Sequence, residues 1–159
     1  MLIKDINECD FINYKKISMF IIFPFCSFKC DKEFGVKLCQ NWGLTREPNI
    51  EISSKEIIDR YLRNPITQAV VCGGLEPFDS WKDLLSFIKE FRKFSNDDIV
   101  IYTGYNKDEI LDKIQTLKDN NINNIIIKFG RYKPNEEKHF DEVLGVNLAS
   151  FNQYAERVS

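Results

Sequence analysis

Apolar residues along this chain fall into two alternating kinds of segment: short continuous runs rich in Ile, Val and Phe, and longer stretches in which they recur every three or four positions. The first kind reads as strands covered on both faces, the second as helices with one buried side. The run from about Ile17 to Phe23, closed by Pro24, predicts a buried strand, and Ala69 to Cys72, Asp98 to Tyr102 and Ile125 to Phe129 predict three more. Ser53 and Glu56 have the spacing of a capping box, and Ile57, Ile58, Tyr61 and Leu62 supply an apolar helical face that stops at Pro65. Asp79 or Ser80 stands where it would cap a helix carrying Trp81, Leu84, Leu85, Ile88 and Phe91. Asn106 with Glu109 makes a second capping box ahead of Ile110, Leu111, Ile114 and Leu117. Strands alternating with amphipathic helices imply right-handed crossovers, a parallel sheet covered by helices, and a site at the C-terminal ends of the strands. Two stretches break the rhythm. Cys26 to about Ile52 has no sustained period and is punctuated by Gly35, Gly43 and Pro48, which reads as a long loop of the kind that is usually functional. Arg131 to Glu142 is polar, carries Pro134, and reads as a mobile loop.

The chain has 159 residues, 43% of them hydrophobic, which predicts one folded domain over residues 1–159. A formal charge of -2 gives no broad cationic field to hold a nucleic-acid backbone. The longest apolar run is far short of the roughly 20 residues that cross a bilayer, and Asp5, Glu8 and Asp10 stand where a secretory leader would be basic and then apolar. A cytoplasmic protein is expected, with neither nucleic acid nor membrane as partner. Five cysteines, Cys9, Cys26, Cys30, Cys39 and Cys72, are an odd number, so metal binding or catalysis is a better reading than a disulfide framework.

Cys26, Cys30 and Cys39 fall in one loop, about residues 24–43. Three thiolates suit either zinc or iron-sulfur iron, and a fourth ligand from Cys9 or Cys72 would close a structural site. At the end of the next strand, Gly73-Gly74-Leu75-Glu76-Pro77 offers backbone without Cβ atoms beside a carboxylate, a setting for a ligand with a cationic amine. Both segments follow strand ends and so would converge on one rim. His139 is expected at the surface, Cys72 in the core, Cys9 to be incidental, and Trp42 and Trp81 to be packing anchors.

Taken together these segments resemble the radical S-adenosylmethionine (SAM) enzymes, and specifically the small activating proteins of anaerobic ribonucleotide reductases; the resemblance covers most of the chain. In that family the three cysteines of a Cys-x3-Cys-x2-Cys loop bind a 4Fe-4S cluster, and the amino and carboxylate groups of SAM chelate its fourth iron. Cys26, Cys30 and Cys39 match those ligands in order. Phe28 lies where such loops often carry an aromatic residue, and Asn41 matches the Asn that closes the motif. Gly73, Gly74 and Glu76 are similar to the family's Gly-Gly-Glu-Pro, which meets the SAM amino group. Thr103 belongs to a similar Tyr-Thr-Gly-Tyr, and Ser150, Asn152 and Gln153 are similar to a C-terminal polar segment.

The resemblance implies an α/β fold, an incomplete (β/α) barrel open on one side. It implies reductive cleavage of SAM to a 5'-deoxyadenosyl radical that installs a glycyl radical in a large partner enzyme, with a flavodoxin- or ferredoxin-type electron donor. It assigns no residue of the chain a catalytic role apart from binding these groups. A radical SAM enzyme acting on a small molecule or peptide, and a non-catalytic zinc or iron-sulfur module, are the alternatives. There are two departures from the pattern. Eight residues separate Cys30 from Cys39, an insertion covering Asp31 to Val36, and Leu75 interrupts the glycine-glutamate turn. A flexible insertion containing Gly35 would still return Cys39 to the cluster, because closure cost grows slowly with loop length.

Overall fold

The computed structural model describes residues 1–159. Ten strands and four α-helices follow one another along the chain: β1 (Leu2–Ile3), β2 (Asp5–Asp10), β3 (Ser18–Phe23), α1 (Lys29–Phe34), β4 (Ile50–Glu51), α2 (Ser54–Arg63), β5 (Ala69–Gly74), α3 (Trp81–Phe91), β6 (Asp98–Tyr102), α4 (Leu111–Asp119), β7 (Ile125–Phe129), β8 (His139–Asp141), β9 (Val146–Leu148) and β10 (Tyr154–Arg157). Six strands form an open sheet in the order β10-β7-β6-β5-β3-β2. The four central strands, β3, β5, β6 and β7, are parallel.

Strand alternation sorts the core onto two faces. Met19, Ile21, Phe23, Val70, Cys72, Ile99, Ile101, Ile125, Ile127 and Phe129 point to one face, where they meet the apolar sides of α2, α3 and α4 in a single cluster. Val71, Val100 and Ile126 point the other way and pack on Tyr14, Leu144 and Leu148. Both faces are thus covered near the middle of the sheet, which is why the strands read as unbroken apolar runs. All three crossover helices lie on the same face, so the opposite face is covered only in part and is left to form a cavity at one end.

Several expectations needed correction. The sheet is mixed rather than wholly parallel, because β2 pairs antiparallel with β3 and β10 antiparallel with β7. The long loop contains α1, a 3-10 turn over Trp42–Arg46 and β4, which pairs with β1. Ser53 does cap α2 by accepting from the Glu56 N–H at 3.1 Å, but the Glu56 carboxylate turns outward to Arg60 instead of completing the box. Of Asp79 and Ser80, Ser80 takes the N-cap position of α3, without a side-chain capping bond. The 3-10 turn over Pro77–Ser80 that leads into that helix has a cap of its own, Glu76, ahead of Pro77. The Asn106–Glu109 box forms as expected. Leu62 and Leu111 lie outside the buried faces, and Phe87 takes a place in the core. Arg131 to Glu142 is not a free loop: Arg131 is buried and bidentate to Glu109, both bonds at 2.7 Å, and its end forms β8, paired with β9. No helix is long and apolar enough to cross a membrane.

At the N-terminal end of the parallel strands, Asp98 accepts from Tyr14 at 2.9 Å, Lys16 at 2.6 Å and Arg157 at 2.8 Å. It thereby fastens the β2–β3 connection and β10 to the start of β6. That end of the sheet is stitched shut, and the other end opens.

Candidate functional site

Because β3, β5, β6 and β7 run in parallel, the segments that follow them all emerge at one edge. A cavity of about 810 Å³ opens there, in the place that open parallel sheets leave for ligands. Of the residues singled out by sequence, Cys26, Cys30, Cys39, Asn41, Gly74, Glu76, Thr103 and Gln153 line it, and Ser150 and Asn152 do not. Gly73 and Phe28 do not. A Cβ on Gly73 would stand 2.8 Å from the Phe20 ring, so that glycine is required by packing against β3. Phe28 stacks on Trp42 with ring centroids 4.3 Å apart, which makes Trp42 a loop anchor more than a core residue. Gly74 has φ +83° and a Cβ there would collide with Ile22; a side chain is excluded twice over. Its carbonyl accepts from the Asn41 amide at 2.6 Å. The chain just past the third cysteine is thereby tied to the end of β5.

Glu76 is a tightly constrained polar group in the cavity. It is 6% exposed; Oε1 accepts from the Phe78 N–H at 3.1 Å and the Thr103 hydroxyl at 2.8 Å, and Oε2 from the Gly104 N–H at 2.9 Å. Thr103 is held in turn by the Tyr105 N–H, which donates to its oxygen at 2.9 Å. Burial pushes the Glu76 carboxyl up to about 7, against the pull of those three hydrogen bonds. A carboxylate oxygen takes about two donors, so Oε2 has one position left.

Burial raises all three loop thiols. Cys26 is pushed up to about 12, opposed by the Phe28 N–H that donates to its Sγ at 3.3 Å. Cys30 is raised by burial and by Cys39, with Arg131 acting in the opposite sense. Cys39 is raised by burial. Cys72 is fully buried on β5, and neither it nor Cys9 lines the cavity. His139 packs obliquely against Phe151 at 5.6 Å.

Lys128 is a site residue that motif spacing does not single out. It lies on β7 with its side chain in the cavity, and its Nζ donates to the Gly130 carbonyl at 3.0 Å. Burial lowers its pKa to about 8, although Glu76 and Cys30 both favour its charged form. The signal is present in Ile125-Ile126-Ile127-Lys128-Phe129: a lone charge inside a run buried on both faces must point at something polar.

A protein family described as the 4Fe-4S single cluster domain matches residues 16–146, well over half of the chain. The chain belongs to the 4Fe-4S single cluster domain family. Comparisons with curated proteins and with solved structures gave no match. Membership makes this an iron-sulfur, metal-binding domain. Cys26, Cys30, Cys39 and Cys72 lie inside the matched span, and Cys9 lies outside it.

The donors on the cavity wall fit a 4Fe-4S single cluster. No group of three or more His, Cys, Asp or Glu side chains is gathered to hold a single metal ion, and a 4Fe-4S cluster held by cysteines alone takes one thiolate per iron, four in all. Cys26, Cys30 and Cys39 on one cavity wall could supply three of the four, which would leave one iron for another ligand. Burial is the main cause of their raised pKa values, and iron would reverse that balance.

Proposed function

We propose that this is a radical SAM protein of the kind that activates a glycyl radical enzyme, with Cys26, Cys30 and Cys39 holding the cluster. The observation that carries the reading is the shared cavity: three thiols, a buried carboxylate and a buried lysine open into one space at the C-terminal ends of parallel strands. When bound, the cluster supplies the electron for reductive cleavage of SAM to methionine and a 5'-deoxyadenosyl radical. Three protein thiolates leave one iron free for the amino and carboxylate groups of SAM. The open position on Glu76 Oε2 suits a hydrogen bond from the amino group, with Thr103 and Gly104 fixing the carboxylate in place. Apolar side chains on the cavity wall, among them Phe20, Ile22 and Leu75, exclude water.

On this reading the open sheet with its crossovers on one face is an incomplete (β/α) barrel. A glycine-bearing segment of the partner enzyme enters over the cavity, and a flavodoxin- or ferredoxin-type protein donates the electron. The test is anaerobic reconstitution with iron and sulfide, reduction, and measurement of 5'-deoxyadenosine from SAM, followed by electron paramagnetic resonance with a glycyl radical enzyme encoded alongside. The expected results are nucleoside formation and a glycine-centred doublet. A fully loaded cluster that never cleaves SAM would make the protein a non-catalytic iron-sulfur module. Cleavage with no radical transfer, together with modification of a metabolite, would make it a small-molecule enzyme.

A further inference from the structure

We infer that Asp31 is the positioning residue that brings Cys39 back to the cavity across the long Cys30–Cys39 spacing. This rests on the reading of Cys39 as a cluster ligand. The insertion is ordered rather than slack. It begins as α1, ends at Gly35 with φ +70°, and then returns under the control of one carboxylate. Asp31 Oδ1 accepts from the Leu38 N–H at 2.8 Å and the Cys39 N–H at 2.9 Å, and Oδ2 accepts from the Trp42 indole N–H at 2.6 Å. The residue next to the second thiol therefore grips the backbone of the third. Trp42 carries the linkage to the first, since its ring stacks on Phe28, whose N–H donates to the Cys26 sulfur. Lys37 sits over the other side of that linkage, 4.5 Å from the Trp42 ring.

Asp31 is not itself a ligand candidate. It is absent from the cavity wall, and its oxygens already face three donors. Its effect on the cluster runs through where Cys39 is held. The helix that carries it is anchored from outside by the ion pair of Glu33 with Arg131 at 3.0 Å and that of Lys29 with Glu109 at 3.1 Å. Order in the insertion thus comes from the chain's own contacts.

The test uses the full chain as Asp31→Ala, Asp31→Asn and Trp42→Phe, with Cys39→Ala for comparison and Lys32→Gln, an exposed position on the same helix, as a control. In the apo protein, Asp31→Ala should speed hydrogen exchange at the Leu38 and Cys39 amides, and after reconstitution speed cluster loss to an iron chelator, each by about tenfold, as expected on losing charge-assisted hydrogen bonds. Asp31→Asn keeps an oxygen for both amides and should restore loading, while turning a donor toward Trp42 and shifting the g-values of the reduced cluster; Trp42→Phe should shift them in a similar way. Lys32→Gln should load and exchange as wild type does. The inference is overturned if Cys39→Ala loses the cluster while Asp31→Ala matches wild type in chelator resistance, g-values and amide exchange. If Cys39→Ala keeps its cluster, the ligand reading has failed instead, and unchanged exchange at Leu38 and Cys39 in the Asp31 variants then overturns the inference separately. Should Asp31→Ala fail to fold, Asp31→Asn and Trp42→Phe decide by their g-values: both unchanged would overturn it.

Discussion

Replacing Glu76 by Gln removes a buried charge and reverses the polarity of one hydrogen-bonding position, and the two effects separate with pH. Burial raises the carboxyl from its ordinary 4.5 to about 7. A folded-state pKa above the unfolded one means that ionisation weakens the fold: the cost is absent below about pH 4.5 and grows as the pH rises to about 7, reaching about 3 kcal/mol above it. The glutamine side chain of Glu76→Gln would carry no such cost at any pH. Its amide, however, must set an N–H either against the Gly104 N–H or against the Phe78 N–H and Thr103 hydroxyl that now donate to the carboxylate. The arrangement facing Gly104 disturbs one bond rather than two, and a buried donor left unpaired costs about 1–3 kcal/mol. Glu76→Gln should therefore destabilise the apo protein by about 1–3 kcal/mol near pH 5, where the wild-type carboxyl is already neutral. Near pH 8 it should be neutral to mildly stabilising, because relief of the buried charge offsets the lost bond. Urea unfolding of both proteins at the two pH values reads this directly. An equal loss at both would refute the account of a buried, singly strained carboxylate. In reconstituted protein the same substitution should weaken SAM binding about tenfold or more by calorimetry, since charge-assisted bonds contribute roughly 1.5–3 kcal/mol.

Three other outcomes are expected. Alanine at Cys26, Cys30 or Cys39 should abolish full iron and sulfide loading, whereas Cys9→Ala, outside the cavity, should load normally; a loaded Cys26 variant or an empty Cys9 variant would contradict the ligand set. Lys128→Met should raise apo stability near pH 7 by about 1–3 kcal/mol, because a lysine lowered to about 8 by burial is charged at a cost below that pH, and the Gly130 carbonyl keeps its bond from Gln153; it should also weaken SAM binding, and unchanged binding would remove Lys128 from the site. Asp98, buried yet held down to about 2 by Lys16, Arg157 and Tyr14, should contribute about 1–2 kcal/mol that is present above about pH 3.8 and lost as the pH falls through about 2, the figure being reduced for the half-exposed cations; Asp98→Asn should flatten that part of the acid unfolding curve without touching cluster content.

The central strands were legible because each is buried on both faces, so that apart from Ser18 and Asp98 at strand starts their runs carry no polar residue until Lys128. The edge strands β2 and β10 were not legible. Asp5–Asp10 and Tyr154–Arg157 are mostly polar, and their strand character comes from pairing with β3 and β7 rather than from pattern. Helix α1 was hidden for a related reason: it buries none of its residues and is held by ion pairs from Arg131 and Glu109, distant in sequence. Glu76 was visible as a site residue but not as a cap, since Pro77 at the first position of the turn moved the cap upstream of Asp79. At the site, residue types and spacing pointed to the three thiols and the glycine-glutamate turn. They did not show that Gly73 and Phe28 serve packing, which depends on Phe20 and Trp42 facing them in space.

Glu76 and Lys128 put groups of opposite sign on the wall of one cavity. Glu76 is held by three donors and has one place left to accept, while Lys128 has one acceptor and donors to spare. Each lies on a different parallel strand or just beyond one, so the sheet sets their separation instead of a flexible loop. Neither group gains from its burial. Glu76 is raised and Lys128 lowered, both by desolvation, which means the fold keeps two charges where an apolar pair would be more stable. Strain of that kind at one end of an otherwise satisfied sheet is what a preorganised site requires. The amino and carboxylate groups of an amino-acid head group would relieve both at once, the amine at Glu76 and the carboxylate at Lys128. On the proposed function, a SAM head group would lie near Glu76 and Lys128, between the cysteine loop and β7.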